Sequence, residues 1–469
     1  MKNRALIFLL AAFMCVSTLV YAAPTTESTT KTETEQKVEF PKPNAQAAIV
    51  IDEKSGDTIF AMNPDRKVFP AGTSNIMTAI IALENTKLSD TCTITEEALS
   101  NVSYDQPQLG MEVGENYTVE QLLYGIIMNS NNDCANALAI TTSGSIEAFV
   151  TKMNEKAAEL GMENTHFANP TGWQDENHYT TAADMAKLAK YAMKNPTFAE
   201  MVVTQKYVYP PTNMRSKEKT ILSTNHLVSR YKYPYHYYPN ATGIKSGNST
   251  SAGYCLVASA VKGQLSLISV VMNCPNSDAK DGAYSFKDTA KMYDYIFENY
   301  QSVVLAKQGD VIHDSKVKEA KDSTRLALTV DSDVYVTMKK SADSEVIEKA
   351  VDVTGEAIAP IAMGDEFGTV TFSYNGKELK TAKLVAANEV KRDFILHIIN
   401  ALFGFIFSPV VILIVILVAA FFLRLRAVRN RKRRIRHSKM VSKRQENIKA
   451  RTPRDTYESR STDSFRRRR

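Results

Sequence analysis

The spacing of apolar residues predicts a β-sheet flanked by helices over most of the chain. An apolar run over residues 47–52 and a second run over 58–61 are separated by a polar, Gly-containing turn, so they predict two paired strands. Two longer apolar runs, 254–260 and 265–272, surround another Gly turn and predict a hairpin in the centre of a sheet. We therefore expect an α/β fold for residues 44–300.

Between these predicted strands, most of the apolar residues are spaced as in α-helices. The apolar run that follows Pro70 predicts a buried helix. A second helical pattern, over 117–127, starts at Thr118 and has Gln121 three residues later, which is the spacing of a capping box. Residues 207–240 are dense in Tyr and Pro, and we expect irregular structure there.

After Ser302 the pattern changes to short runs with strand spacing alone. Apolar and polar residues alternate over 326–330, 334–338 and 370–374. Asn375-Gly376 follows the last of these runs and is a sequence typical of a tight hairpin turn. This pattern predicts a small all-β domain over residues 301–390.

Both ends of the chain carry patterns typical of membrane-targeted proteins. Residues 1–22 combine two basic residues, an apolar run and small residues at the end, as in a secretory signal peptide, and the polar residues 23–43 predict a disordered spacer. Residues 394–423 predict a membrane span, in which Pro409 could introduce a kink. The basic residues that follow predict a cytoplasmic tail over 424–469 and an extracytoplasmic body.

Charge is distributed unevenly along the chain. The net charge is +6, yet residues 424–469 alone carry 19 Lys and Arg against 4 Asp and Glu, so the body is acidic. An acidic body argues against nucleic acid as a partner. The cysteines form no CxxC pair and the histidines are scattered, so we expect no metal site and no cofactor.

Three short motifs occur in an order and at separations that together are distinctive. The first is residues 70–78, the second is Ser130-Asn131-Asn132, and the third is Lys245-Ser246-Gly247. With these motifs the chain resembles the D-alanyl-D-alanine carboxypeptidases, the low-molecular-weight penicillin-binding proteins. The resemblance implies a transpeptidase domain of the penicillin-binding-protein and β-lactamase type, then a small all-β domain and one C-terminal transmembrane helix.

The resemblance also implies roles for individual residues toward a peptidoglycan stem peptide or a β-lactam. Ser130 would pass a proton to the leaving amine, and Asn132 would hold the substrate amide. Lys245 would attract the substrate carboxylate, and Ser246, Gly247 and Ser249 would complete the substrate-binding strand. These groups serve acyl transfer only when a nucleophile and its base are also present.

The first motif departs from the family at the two reactive positions. The family has Ser-x-x-Lys there, whereas this chain has Gly72 and Asn75. Gly72 supplies no nucleophile, and the neutral amide of Asn75 cannot accept a proton as a neutral lysine could. The sequence therefore favours a catalytically impaired family member that binds stem peptides or regulates wall synthesis.

The alternative is a working serine-type carboxypeptidase that trims pentapeptides with another serine. Ser74 lies two residues after Gly72, but on a helix it would point about 200° away from that position. Ser130 with Lys245 could form an improvised Ser–Lys pair. Labelled penicillin would distinguish the two hypotheses, because only a working enzyme would form the covalent adduct.

Overall fold

The computed structural model describes residues 39–231, 234–275 and 283–449. The predicted signal peptide and most of the predicted spacer lie outside these residues. The strands are β1 (Ala47–Asp52), β2 (Thr58–Met62), β3 (Thr91–Thr93), β4 (Asn116–Thr118), β5 (Lys206–Tyr209), β6 (Lys219–Leu222), β7 (Ala241–Ser249), β8 (Gly253–Lys262), β9 (Leu265–Cys274), β10 (Tyr300–Ala306), β11 (His313–Lys316), β12 (Arg325–Val330), β13 (Val334–Lys339), β14 (Glu348–Val353), β15 (Glu366–Tyr374) and β16 (Lys377–Ala386). The helices are α1 (Asn75–Asn85), α2 (Glu96–Ser100), α3 (Val119–Asn129), α4 (Asn132–Ser143), α5 (Ile146–Glu159), α6 (Ala182–Ala192), α7 (Pro196–Val202), α8 (Ala283–Asn299), α9 (Phe394–Ile406) and α10 (Pro409–Lys449).

The first domain is built on an antiparallel sheet with the order β2-β1-β9-β8-β7. Every residue of β1 is buried, because both faces of the sheet are covered. Ala48 and Val50 pack in the cluster that contains α8, whereas Ile49 and Ile51 pack in the larger cluster that contains α1 and α6. Successive side chains of β1 therefore point into two different apolar layers, one on each face of the sheet, because side chains alternate between the two faces of a strand.

The predicted helix after Pro70 consists of two parts. Ala71–Ser74 form one turn of 3₁₀ helix, and α1 continues from Asn75 with its first eight residues all buried. The turn packs against β7, which is an edge strand of the sheet. This contact brings the first and third motifs together.

The second domain is a five-stranded sheet with the order β11-β12-β16-β15-β14, and β10 pairs with β13 beside it. Leu326, Leu328 and Phe372 are buried in its core. Asn375 and Gly376 have φ values of 51° and 73° at the β15–β16 turn, the left-handed conformation that a type I′ turn needs. The predicted all-β domain and its hairpin are therefore confirmed.

The β1–β2 turn joins the two domains through one carboxylate. Asp57 forms a 2.5 Å ion pair with Lys380 of β16 and accepts a 2.8 Å hydrogen bond from the backbone N–H of Thr337. Lys380 also donates to the carbonyl of Ser55 at 3.0 Å. These contacts connect the second domain to the edge of the sheet away from β7.

The predicted membrane segment is divided into two apolar helices. The helix is interrupted at residues 407–408, between α9 and α10. Pro409 is the first residue of α10, where its missing N–H costs no helical hydrogen bond. Within the described residues, α10 is the helix that is long and apolar enough to cross a membrane, and it continues into the basic segment.

Two predictions about local structure have different outcomes. The capping box of Thr118 and Gln121 is confirmed, since both reciprocal hydrogen bonds are present at the start of α3. The prediction of irregular structure over 207–240 is wrong at β5 and β6, which pair as a two-stranded sheet. Stacking of Tyr207 on Tyr124 of α3 holds this hairpin to the body, a tertiary contact that local sequence does not reveal.

Candidate active site

The three motifs meet around one cavity of about 260 Å³. Residues from all three motifs line it: Gly72, Ser130, Asn132, Ser246, Gly247 and Ser249. Lys245 lies beneath this lining, is 1% exposed, and reaches the cavity wall through Ser130. The fold therefore brings the residues of the second and third motifs together with Gly72, whereas Asn75 is absent from the lining of this cavity.

Gly72 and Gly247 permit a close backbone contact between the 3₁₀ turn and β7. A Cβ atom on Gly247 would lie 2.6 Å from the backbone nitrogen of Gly72, so no larger residue fits there without a shift. A Cβ atom on Gly72 would lie 2.6 Å from Oγ of Ser130. The Ser130 hydroxyl therefore stands next to the point where a nucleophilic side chain would begin.

Asn75 supports a loop instead of serving as a base. It is fully buried, and its Nδ2 donates to the carbonyls of Pro170 and Thr171, both at 3.3 Å. Thr78, one turn later, donates to the carbonyl of Pro170 at 2.6 Å. The Oδ1 atom of Asn75 is buried without a hydrogen-bond partner among the described residues. An amide in this position holds the loop but takes no proton from a hydroxyl.

Ser130 and Lys245 form a short hydrogen bond at the cavity wall. The Lys245 ammonium donates to Oγ of Ser130 at 2.6 Å and to the carbonyl of Ser246 at 2.7 Å. Complete burial lowers the pKa of Lys245 from 10.5 to about 7, so its neutral form is well populated at neutral pH. Ser130 has a φ of 55°, a left-handed conformation that costs energy for a serine and is common at functional sites.

The loop between α2 and β4 supports the second motif through hydrogen bonds. Asn132 donates from Nδ2 to Oε1 of Gln106 at 2.9 Å, and its backbone N–H donates to the carbonyl of Pro107 at 2.8 Å. The next residue, Asp133, is buried and accepts 2.9 Å hydrogen bonds from the backbone N–H groups of Leu109 and Gly110. The carboxylate therefore fixes the loop against the start of α4.

We expect Asp133→Ala to lower the free energy of unfolding by about 3 kcal/mol, because buried N–H groups would lose a charged acceptor. Asp105→Ala, at an exposed position of the same loop, is the matched control and should change stability by less than about 0.5 kcal/mol. Urea unfolding of both variants provides the measurement. Equal unfolding midpoints for the two variants would contradict this role of Asp133.

Ser74 lies away from the cavity, as the helical geometry predicts. It is fully buried, and its Oγ lies 2.8 Å from Nε2 of His178. Nδ1 of His178 accepts a hydrogen bond from the backbone N–H of Ala168 at 3.2 Å, so Nε2 carries the ring proton and donates to Ser74. Burial lowers the pKa of His178 to about 4, which keeps the ring neutral. This arrangement gives Ser74 neither a base nor access to substrate.

The hydroxyls of the third motif are fixed along β7. Ser246 donates to the carbonyl of Thr224 at 3.1 Å, and Ser249 accepts from the backbone N–H of Ala252 at 3.1 Å. Thr224, which the sequence analysis missed, also lines the cavity. No motif marks this residue, because it approaches β7 only through the folding of the β5–β6 region.

Aromatic side chains form further parts of the cavity wall: Trp173, His226, Tyr254 and Phe286. Trp173 lies on this wall with 41% of its surface exposed. The spacing of these residues along the chain carries no common pattern, so only the fold brings them together.

Comparison with known proteins gives the same result over both domains. A family model described as D-alanyl-D-alanine carboxypeptidase matches residues 32–276, and one described as penicillin-binding protein 5, C-terminal domain, matches residues 300–392. The D-alanyl-D-alanine carboxypeptidase DacF of Bacillus subtilis is 32% identical over 354 residues, which cover 74% of this chain and 86% of that protein. DacA of Escherichia coli K12 is 30% identical over 362 residues, covering 75% and 84%.

A solved structure shows the same similarity in three dimensions. Penicillin-binding protein 5 from Haemophilus influenzae aligns with a TM-score of 0.66 at 26% identity. The alignment covers 76% of this chain and 100% of that one. The predicted fold class, an α/β transpeptidase domain followed by a β domain, is therefore confirmed.

Proposed function

Because the chain belongs to the D-alanyl-D-alanine carboxypeptidase family, which acts on peptidoglycan, we propose that it binds stem peptides ending in D-Ala-D-Ala without releasing the terminal D-alanine. The observation that carries this proposal is the contrast between the two sides of the cavity. Gly72 and Asn75 offer neither a hydroxyl nor a base, whereas Ser130, Asn132 and Lys245 are in place.

Binding without turnover follows from the groups that remain. The cationic form of Lys245 attracts the peptide carboxylate, to which Ser246 and Ser249 offer hydroxyls from β7. Asn132 offers its amide to the peptide backbone. Since Gly72 has no Oγ, no acyl-enzyme forms at that position and the scissile amide stays intact.

A second candidate function is hydrolysis through Ser130, and the 2.6 Å contact between Ser130 and Lys245 favours it. Neutral Lys245 would take the Ser130 proton while Oγ forms a bond to the D-alanine carbonyl carbon. The C–N bond would then break, and Lys245 would return the proton to the leaving amine. Water would hydrolyse the resulting ester, and Ser130 would be regained.

Labelled penicillin and a D-Ala-D-Ala pentapeptide distinguish the two functions. The binding function predicts a calorimetric signal with the pentapeptide and no covalent penicillin adduct. An adduct that maps to Ser130 by mass spectrometry and is lost in Ser130→Ala would overturn the first proposal in favour of the second. If the pentapeptide does not bind and no adduct forms, both proposals fail.

We also propose that the body lies outside the cytoplasmic membrane and the basic segment lies inside. The uncharged part of α10, from Pro409 to Leu423, rises only about 22 Å, which is less than the roughly 30 Å of a bilayer core. The exposed apolar side chains of α9 supply the missing length or lie in the interface. The Arg and Lys residues after Leu423 favour the cytoplasmic side.

A further inference from the structure

Gln106 is a buried residue in an exposed stretch of the loop between α2 and β4. It is 7% exposed, whereas residues 103–105 and 107–108 on either side of it are all exposed. Burial of a carboxamide costs free energy unless the group is hydrogen-bonded, and a buried glutamine also loses rotamer freedom. The burial of Gln106 therefore requires a partner, and the structure provides it in the second motif.

Residues 106 and 107 hold Asn132 at two points. Oε1 of Gln106 accepts a 2.9 Å hydrogen bond from Nδ2 of Asn132, which is itself only 4% exposed. The carbonyl of Pro107 accepts a 2.8 Å hydrogen bond from the backbone N–H of Asn132. The backbone N–H of Gln106 donates to the carbonyl of Ser103 at 3.0 Å, which supports this part of the loop. The first contact fixes the carboxamide of Asn132, and the second fixes its backbone.

The first motif gives the Asn132 carboxamide no such support. Nδ2 of Asn75 donates to the carbonyls at residues 170 and 171, and Oδ1 of Asn75 has no hydrogen-bond partner among the described residues. Asn75 therefore forms no hydrogen bond with Asn132. The orientation of the Asn132 carboxamide is set from the loop between α2 and β4.

This orientation decides which groups Asn132 offers to a peptide. A carboxamide has two N–H donors and one acceptor oxygen. With one N–H directed at Gln106, the second N–H and Oδ1 remain for a ligand in the cavity that Asn132 lines. A peptide bond carries one carbonyl and one N–H, so it matches this pair. If the Asn132 carboxamide turned by 180°, its Oδ1 would face Oε1 of Gln106, and two acceptors repel each other.

We propose that Gln106 is a positioning residue that holds the Asn132 carboxamide ready to receive a peptide bond of the ligand. This inference rests on the proposed peptide binding and adds to it a residue outside the three motifs. Without the acceptor on Gln106, the carboxamide would rotate in the unbound protein and would have to be ordered when the peptide binds. The ordering of one such side chain lowers affinity by up to about tenfold.

Calorimetry with a D-Ala-D-Ala pentapeptide, on the full chain in detergent, tests this role. Gln106→Met keeps the length of the side chain but removes the oxygen acceptor, and it should weaken binding about tenfold. Gln106→Glu keeps an oxygen at the same place and should recover most of the lost affinity. Gln108→Met, at the exposed position on the other side of Pro107, is the matched control and should bind as the native protein does.

A double-mutant cycle separates positioning of Asn132 from general support of the loop. In an Asn132→Ala background, Gln106→Met should cause no further loss of affinity, because the group through which Gln106 acts is gone. Equal losses in the two backgrounds, or a Gln106→Glu variant as weak as Gln106→Met, would overturn the role of Gln106 while leaving peptide binding intact. A native protein that does not bind the pentapeptide would overturn the peptide-binding function and this role together.

Discussion

The double substitution Gly72→Ser with Asn75→Lys should convert the protein into one that is acylated by labelled penicillin. The serine adds the missing Oγ, and the lysine adds an amine that can take its proton. The new Cβ at position 72 would start 2.6 Å from Oγ of Ser130, and that hydroxyl can rotate away because it ends a short side chain. Since the two groups act as one unit, we expect each single substitution to give far less adduct than the pair.

The expected gain in the acylation rate is on the order of a thousandfold or more, the scale of loss when a nucleophile is removed from such a unit. Gly72→Ala with Asn75→Lys is the matched control, because it adds the same Cβ and amine without a hydroxyl. Adduct on position 72 should be absent from this control. If the double variant still binds pentapeptide yet forms no adduct, the retained groups are not arranged for acyl transfer.

Peptide binding should weaken as the pH rises through neutrality. Burial lowers the pKa of Lys245 to about 7, so the cation that attracts the peptide carboxylate is largely present at pH 6 and largely lost at pH 8. Above pH 7 the affinity should fall toward a limit of tenfold per pH unit. Lys245→Met should bind about a hundredfold more weakly at pH 6 and should lose this pH dependence. Calorimetry at pH 6, 7 and 8 measures both effects.

The exposed Lys217→Met variant is the control for general loss of charge and should keep the pH dependence of the native protein. The stability of the folded protein should change with pH in the opposite direction from the peptide affinity. The folded pKa of Lys245 lies below its unfolded value, so the unfolded state binds more protons between about pH 7 and 10 and stability rises over that interval. A native protein whose peptide affinity does not change from pH 6 to 8 would contradict the role given to Lys245.

The sequence alone predicted those parts of the fold that depend on interactions between residues close together in the chain. Thr118 and Gln121 form their capping box from residues three apart, and Asn375-Gly376 adopts left-handed backbone angles that few other pairs tolerate. The apolar runs of β8 and β9 marked the centre of the sheet because strands buried on both faces are continuously apolar. These features needed no knowledge of distant residues.

The features that sequence missed depend on contacts between distant segments. The β5–β6 hairpin is stabilised by stacking on Tyr124, and Trp173 reaches the cavity because Asn75, almost a hundred residues earlier, holds its loop. The lowered pKa of Lys245 follows from complete burial, which a lysine on an edge strand does not announce. The motifs were enough to identify the residues of the site, whereas the surroundings of these residues became known only from the fold.

Release of D-alanine from a D-Ala-D-Ala pentapeptide by the native protein tests most directly whether Gly72 and Asn75 have removed turnover. The assay should use the full chain in detergent, with Ser130→Ala as the reference. We predict that the native protein binds the peptide and releases no more D-alanine than Ser130→Ala does. Steady release at many equivalents of protein, lost on changing Ser130, would show that another hydroxyl performs the chemistry and would contradict this account.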